Sequence, residues 1–93
     1  MAKHLKYIQN KDVAWREVDG KAVLVNPTTA ETKVLNAVGT LTWKLLEEPR
    51  TVDELAAAIE KGFQVSRRKA HLDADEFLQL LLSKSLAKPH TPA

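Results

Sequence analysis

The stretch that most constrains the fold runs from residue 31 to residue 48, because a strand pattern changes into a helix pattern inside it. Residues 32–35 combine β-branched, long and polar side chains, which is typical of a half-solvated strand. Asn36 is a suitable helix N-cap, since its side-chain oxygen can accept a hydrogen bond from the first helical turn. The sequence therefore predicts a strand that leads directly into a helix. Apolar residues at helical spacing support that helix: Val38, Leu41, Trp43, Leu45 and Leu46.

The residues before this stretch predict a three-stranded antiparallel meander. Two strand patterns, residues 13–18 and 21–25, flank Asp19 and Gly20, a pair that favours a two-residue hairpin turn. Turn-forming residues occupy positions 26–30, and the third strand follows at once. The second strand is apolar on both faces, which is typical of a strand that is covered on both sides or central in its sheet. The third strand would then lie at an edge, with its outer amides and carbonyls unpaired.

A second helix is predicted after the first. Thr51 and Glu54 have the spacing of a capping box at its start, and Gly62 is a plausible end. Residues 64–71 include the basic run Arg67-Arg68-Lys69 and are predicted as a solvated loop or a frayed turn. The alternative for this run is a contact with an acidic partner or with nucleic acid.

The third helix is predicted from residue 73 to about residue 86, with an acidic first turn that suits the positive helix end. At about 100° per residue its apolar side chains cover an arc of roughly 200°, whereas a helix that faces one core needs about 100°. Either this helix is wedged between the sheet and both other helices, or one of its flanks lines a groove that is open to a partner. The pattern alone leaves both explanations open.

Length and composition predict one small domain without disulfides. The chain has 93 residues, a formal net charge of +2 and no cysteine. Its first residues lack the apolar core of a signal peptide, and we expect a cytoplasmic protein with no membrane partner. We also expect a flexible N-terminal arm over residues 1–11, a folded domain over residues 12–87 and a disordered tail over residues 88–93.

Residues that could support catalysis are scattered along the chain. His4, His71 and His90 have no second ligand at metal-binding spacing. The serines lack the strand-turn-helix context of an exposed nucleophile, and the three glycines are too far apart for a phosphate-binding loop. We therefore expect no catalytic residue, no metal, no cofactor and no enzymatic activity.

The two tryptophans have different expectations. Trp43 lies at helical spacing beside Leu46 and is expected in the core, with its indole N–H donating to a carbonyl. Trp15 could be a core residue of the first strand or a surface anchor, and the sequence does not decide between them.

An ordered series of short matches to a known family extends over residues 13–87. It comprises an Asn-Pro turn after the second strand, a Leu-Asn junction before the first helix, a Trp in that helix, a Thr-Val-Asp-Glu-Leu helix start and a Phe-Leu pair in the third helix. The matching residues are Leu24, Val25, Asn26, Pro27, Leu35, Asn36, Gly39, Trp43, Lys44, Leu45, Leu46, Arg50, Thr51, Val52, Asp53, Glu54, Leu55, Asp75, Glu76, Phe77 and Leu78. In this order the chain resembles the PqqD-like family, whose members are also called RiPP recognition elements. It departs from many relatives at Ser85, where they have a glycine after the third helix.

The resemblance implies an α+β, winged-helix-like fold in which a three-stranded antiparallel sheet is followed by three helices. Family members bind the leader segment of a ribosomally synthesised precursor peptide and present it to a modifying enzyme, often a radical-SAM protein. In the family the leader adds as a strand to the third strand and lies against the third helix. By this analogy the expected peptide-binding residues are Glu31, Thr32, Lys33, Val34, Asp75, Leu78, Gln79 and Leu82. Glu76 and Leu80 mark the alternative flank of the third helix.

Two other functions are compatible with such a fold. A homodimeric interaction module would use the same edge strand to pair with a second copy of the chain. A winged-helix nucleic-acid binder fits less well, because the predicted third helix starts with Asp73, Asp75 and Glu76, which would meet phosphates with the wrong sign. The predicted link from Gly62 to Asp73 is also long for a helix-turn-helix.

Overall fold

The computed structural model describes residues 5–91 and contains nine secondary-structure elements. The fold consists of three helices and two antiparallel sheets, each of three strands. In chain order the elements are β1 (Lys6–Gln9), β2 (Ala14–Val18), β3 (Lys21–Val25), β4 (Thr32–Val34), α1 (Ala37–Leu45), β5 (Arg50–Thr51), α2 (Val52–Phe63), α3 (Arg67–Ser83) and β6 (Ala87–His90).

The predicted meander is confirmed as the sheet β2-β3-β4, with β3 in the middle and β4 at an edge. Asp19 and Gly20 connect β2 to β3, and both have positive φ (52° and 80°). Positive φ at both central residues is what a type I′ hairpin turn requires, and Asp-Gly is a favoured pair for it. The α+β class of the fold is therefore the predicted one.

Only one face of β3 is covered. Ala22 and Leu24 point toward the helices and are fully buried, whereas Val25 on the opposite face is 38% exposed. Of the two explanations for the apolar strand, the central position in the sheet is correct and burial on both sides is wrong. Val34, which lies opposite Val23 in the register, extends the same outward face and is 58% exposed.

Helix α1 begins as predicted, because the Asn36 side chain accepts a hydrogen bond from the Gly39 amide at 2.8 Å. Trp43 is fully buried, and Trp15 packs edge-on against it with ring centroids 6.0 Å apart. Trp15 is thus a half-buried neighbour of the core. The expected bond from the Trp43 indole is wrong, since its Nε1 has no hydrogen-bond partner among the described residues.

Helix α2 has the predicted capping box. The Glu54 amide donates to the Thr51 hydroxyl at 3.1 Å, and the Thr51 amide donates to the Glu54 carboxylate at 2.8 Å. The helix continues past Gly62 to Phe63 and ends where Gln64 adopts a left-handed conformation, with φ of 52°. The end is therefore one residue beyond the predicted glycine.

Helix α3 begins at Arg67, six residues before its predicted start. Ser66 is the N-cap, and its side chain accepts a hydrogen bond from the Lys69 amide at 3.1 Å. The basic run is consequently the first helical turn and the predicted loop is wrong. The start was misplaced because the N-cap serine is followed by a basic first turn, whereas an acidic first turn is the usual sequence signal of a helix start. The acidic residues from Asp73 onward gave that signal six residues later. Only residues 64–66 separate α2 from α3.

A second sheet, with strand order β5-β1-β6, joins the two ends of the described chain. β1 pairs antiparallel with β6, with Ile8 opposite Lys88. Inside this sheet Gln9 is buried, and its side-chain amide donates to the Trp43 carbonyl at 2.8 Å. The expected flexible arm is therefore wrong for residues 6–9, and the disordered tail is wrong for residues 88–90. Residues 1–4 and 92–93 lie outside the described residues.

The core lies between the helix-facing side of the β2-β3-β4 sheet and the three helices. Its largest fully buried side chains come from every layer: Leu24, Leu35, Trp43, Leu46, Leu55, Ile59, Leu78 and Leu81. The contribution of α3 to this core is a stripe of Ala70, Ala74, Leu78 and Leu81. Its other apolar residues are therefore free to line a second surface.

Candidate functional site

The outer edge of β4 presents backbone groups that no described strand pairs. Two bonds define its register against β3: the Asn26 amide donates to the Glu31 carbonyl, and the Leu35 amide donates to the Ala22 carbonyl, each at 2.9 Å. Bonding positions alternate along an antiparallel pair, so residue 33, midway between 31 and 35, also directs its amide and carbonyl toward β3. The amides and carbonyls of Thr32 and Val34 therefore point away from the sheet.

Two cavities lie at the two ends of this edge, and α3 or the residues just after it contribute to the lining of both. The space between these cavities, along β4 and α3, is here called the groove. After the end of β4 the groove widens into a cavity of about 420 Å³, here called the Phe77 hollow. It lies between the start of α1 and one flank of α3 and is lined by Asn36, Val38, Gly39, Lys69, Asp73, Glu76, Phe77 and Leu80.

A second cavity lies at the other end of β4. This Lys84 hollow has a volume of about 310 Å³ and a polar lining, which consists of Asn26, Thr28, Thr29, Glu31, Ser83, Lys84 and Ser85. The Lys84 ammonium lies 3.8 Å from the Glu31 carboxylate across it. Glu31, before β4, thus lies near the end of α3, whereas Asn36, after β4, lies near the middle of α3, so β4 and α3 run in opposite directions along the groove.

Ion pairs balance much of the charge in the groove. Lys69 and Asp73, one helical turn apart on α3, form a 2.9 Å ion pair. The hydrogen bond to the Asp73 carboxylate, followed by the charge of that carboxylate, raises the pKa of Lys69 above its ordinary value. With Lys84 also near Glu31, the cations at both ends of the groove already have a carboxylate beside them.

The structure brings together half of the predicted site residues. Glu31 directly precedes β4, and Thr32, Lys33 and Val34 form β4, so these four residues lie along the free edge. The α3 set is on a different side of the helix: Leu78 is fully buried, and Asp75, Leu78 and Gln79 border a separate hollow beside Tyr7 and Val52. The fourth predicted residue, Leu82, is half-buried against the core.

The flank of α3 that faces the groove is the alternative one, with Glu76 and Leu80. Sequence reasoning favoured the other flank because the apolar arc of α3 is wide and its centre is not marked by any charge. Phe77 and Gly39 belong to the groove and were not predicted there. In the structure the two residues pack directly against each other, because a Cβ on Gly39 would lie 2.6 Å from Cζ of Phe77. The glycine therefore makes room for the bulky phenyl ring.

Both sequence arguments against nucleic-acid binding fail in the structure. The first turn of α3 is basic and not acidic, and the three-residue link to α2 is short enough for a helix-turn-helix. Other features are less favourable to phosphate contact. Arg67 lies 3.4 Å from the Glu60 carboxylate and Lys69 is paired with Asp73, so two of the three cations have an acidic neighbour.

Within residues 5–91 no group of three or more histidine, aspartate or glutamate side chains is placed to hold a metal ion. In the same described range no helix has both the length and the apolar character needed to cross a membrane.

The chain has a winged-helix-like α+β scaffold, and a free strand edge lies beside a groove that is lined by a helix. Proteins of this class can accept an extended peptide segment as an additional strand. The chain belongs to the PqqD family: the family model described as coenzyme PQQ synthesis protein D (PqqD) matches residues 21–87. No curated protein sequence matches the chain.

Two solved structures are similar over nearly the whole chain. The first is TbiB1 in complex with the TbiA(beta) leader peptide, with a TM-score of 0.80 and 29% sequence identity over 91% of this chain and 99% of that one. The second is lasso peptide synthetase B1 complexed with the leader peptide, with a TM-score of 0.77 and 19% identity over 89% of this chain and 98% of that one. At 19% identity the second supports the fold alone.

Proposed function

We propose that this chain binds the leader segment of a ribosomally synthesised precursor peptide as a fourth strand on β4 and presents it to a modifying enzyme. The observation that supports this most directly is the outward direction of the Thr32 and Val34 backbone groups beside the groove. Two residues with both groups free can exchange up to four hydrogen bonds with an added antiparallel strand. The leader peptide in the structure of the 29% identical neighbour supports the choice of ligand.

The chain's role in this proposal is non-catalytic. Affinity comes from main-chain hydrogen bonds along β4, and selectivity comes from the side chains that enter the groove. The enzyme that changes the precursor, a radical-SAM protein or one of another class, is then a separate partner that receives the bound peptide. We place this activity in the cytoplasm, where a ribosomal product is made.

Backbone hydrogen exchange tests strand addition residue by residue. The probe is a synthetic leader peptide, chosen from the short open reading frames that neighbour this gene and added to the ¹⁵N-labelled protein. Exchange at the Thr32 and Val34 amides should slow on binding, because both amides gain an acceptor, while the Lys33 amide, already bonded to β3, should change little. Saturable binding with no added protection at Thr32 and Val34 would contradict strand addition, and absence of binding would contradict the whole proposal.

A further inference from the structure

A single charged side chain of β4 faces the groove without an ionic partner. Lys33 lies opposite Leu24 in the register, and directly opposed residues share a face of the sheet, so Lys33 points to the same side as the fully buried Leu24. The side chain is half-buried, and within residues 5–91 no carboxylate forms an ion pair with it.

The carboxylates that line the two hollows already lie near a cation. Glu31 lies near Lys84, and Asp73 is bonded to Lys69 at 2.9 Å. Glu76 forms no ion pair among the described residues, but its charge also acts on Lys69. An ammonium without a carboxylate beside it gains more from a new opposite charge than an ammonium that already has an ion-pair partner. An acidic side chain of a bound peptide would therefore gain more electrostatic interaction energy beside Lys33 than at either end of the groove.

The register of an added strand determines which of its residues meets Lys33. Hydrogen-bonded pairs would form at Thr32 and Val34, which leaves Lys33 in a non-hydrogen-bonded pair, where opposed Cα atoms are only about 4.5 Å apart. The peptide residue opposite Lys33 would point to the helix-facing side with it. The peptide residues two positions before and two positions after share that side.

We propose that Lys33 selects an acidic residue in the bound peptide, placed two positions after an apolar residue that fills the Phe77 hollow. This inference rests on the proposed function. The apolar position follows from the location of the Phe77 hollow beyond the C-terminal end of β4, with the side chains of Val38, Phe77 and Leu80 in its wall. A polar residue two positions after the acidic one would enter the Lys84 hollow.

The direction of the motif follows from antiparallel addition. All pairs in the β2-β3-β4 sheet are antiparallel, and antiparallel pairing is slightly more stable per residue than parallel pairing. The N-terminal part of the peptide would then lie near Asn36 and its C-terminal part near Glu31. Read from its N-terminus, the peptide has the order apolar, any residue, acidic, any residue, polar.

A random peptide library tests the motif without knowledge of the natural leader. We would select a phage-displayed library of 12 random residues on the wild-type chain, on Lys33→Glu and on Lys33→Gln. The wild type should enrich an apolar residue followed two positions later by Asp or Glu. Lys33→Glu should enrich Lys or Arg at the position where the wild type selects an acidic residue. Lys33→Gln should show no charge preference at that position, but it should still select the apolar residue two positions earlier. Both variants should stay folded by circular dichroism, since residue 33 is on an edge strand.

Synthetic peptides from the wild-type selection then measure the effect. Exchange of the acidic residue for Lys should weaken binding to the wild type by about threefold to tenfold, and Lys33→Glu should reverse this order, because an opposite-charge cross-strand pair becomes a like-charge pair. A charge preference that is the same on the wild type and on both variants would overturn the role of Lys33. A reversed motif, with the acidic residue first, would overturn the antiparallel placement. Failure of the wild type to enrich any peptide would instead contradict the proposed function itself.

Discussion

Phe77 of α3 packs against Gly39 of α1 so closely that a Cβ at position 39 would lie 2.6 Å from Cζ and 2.7 Å from Cε1 of the phenyl ring. Real Cβ atoms do not approach other heavy atoms to this distance, so the glycine allows the two helices to meet. The same ring forms a wall of the Phe77 hollow. Helix packing and groove shape are therefore coupled at this contact.

Gly39→Ala should both destabilise the chain and reduce peptide binding. The new methyl group forces the Phe77 ring away from α1, either into the hollow or with a shift of the helix, and such overpacking costs about 1–3 kcal/mol. Urea unfolding would measure the stability of the variant. Fluorescence anisotropy of a labelled leader peptide would measure its binding affinity.

Two further variants separate this effect from a general response to alanine. Gly62→Ala on α2 places its Cβ at an ordinary 3.6 Å from Leu41, so it should stabilise the chain by about 0.5–1 kcal/mol through helix propensity. Gly39→Ala combined with Phe77→Leu should recover part of the lost stability, because the atoms that clash are gone. A destabilised Gly62→Ala or an unaffected Gly39→Ala would contradict the coupling.

Val34→Pro should abolish strand addition while the domain stays folded. Proline removes the amide that points away from β3, and edge strands tolerate proline on that side. Leaving a peptide carbonyl without its donor should weaken leader binding by at least about tenfold. Val34→Thr keeps the amide and the branched shape, and it should bind as the wild type does. Intact binding by the proline variant, with an unchanged circular dichroism spectrum, is the result that strand addition does not allow.

Ser85→Gly should stabilise the chain. Ser85 has a φ of 59°, in the left-handed region, and its side chain is exposed, so the substitution relieves backbone strain without loss of a packed group. We expect a gain of about 0.5–1 kcal/mol, since a non-glycine residue in this conformation costs about 1–2 kcal/mol and glycine loses more entropy on folding. Ser83→Gly, within α3, should have the opposite sign in the same thermal unfolding assay.

Removal of residues 87–93 should destabilise the chain because β6 is the partner of β1. The deletion takes away the strand opposite Lys6–Gln9 and the buried side chain of Ala87. We expect a loss of at least about 2 kcal/mol, since each lost backbone hydrogen bond contributes about 1 kcal/mol. Lys88→Ala, an exposed substitution in the same strand, should change stability by no more than about 0.5 kcal/mol. An unchanged urea midpoint for the truncated chain would contradict the structural role of β6.

Strong local signals predicted the centre of the chain well. The Asp19-Gly20 turn, the Asn36 cap and the Thr51 capping box each depend on residues within three positions, so their geometry follows from sequence alone. The sheet of β1, β5 and β6 could not be predicted in the same way, because it joins residues 43 to 84 positions apart and its strands are short. Long-range pairing of this kind leaves almost no local pattern.

The position of the free strand edge could be predicted from the sequence, whereas the rotation of the neighbouring helix could not. The free edge of β4 followed from strand order, which a meander fixes once the turns are known. The groove-facing flank of α3 depended on where the helix begins and how it is rotated, and the helix starts six residues before the expected Asp73. An apolar arc of about 200° is compatible with more than one rotation, so the choice needed the contact of Phe77 with Gly39.

A final prediction concerns nucleic acid, for which the helix-turn-helix geometry and the basic first turn of α3 are formally suitable. Two of its cations, Arg67 and Lys69, lie beside the carboxylates of Glu60 and Asp73, so a phosphate would compete with a carboxylate that is already bound. We expect no binding of a 20-base-pair duplex in anisotropy measurements at 50 mM salt, and no effect of Arg68→Ala, which changes the third cation of the turn. Binding that falls steeply as salt rises would show that phosphate contacts dominate. Loss of that binding in Arg68→Ala would place them on the first turn of α3 and restore the nucleic-acid alternative.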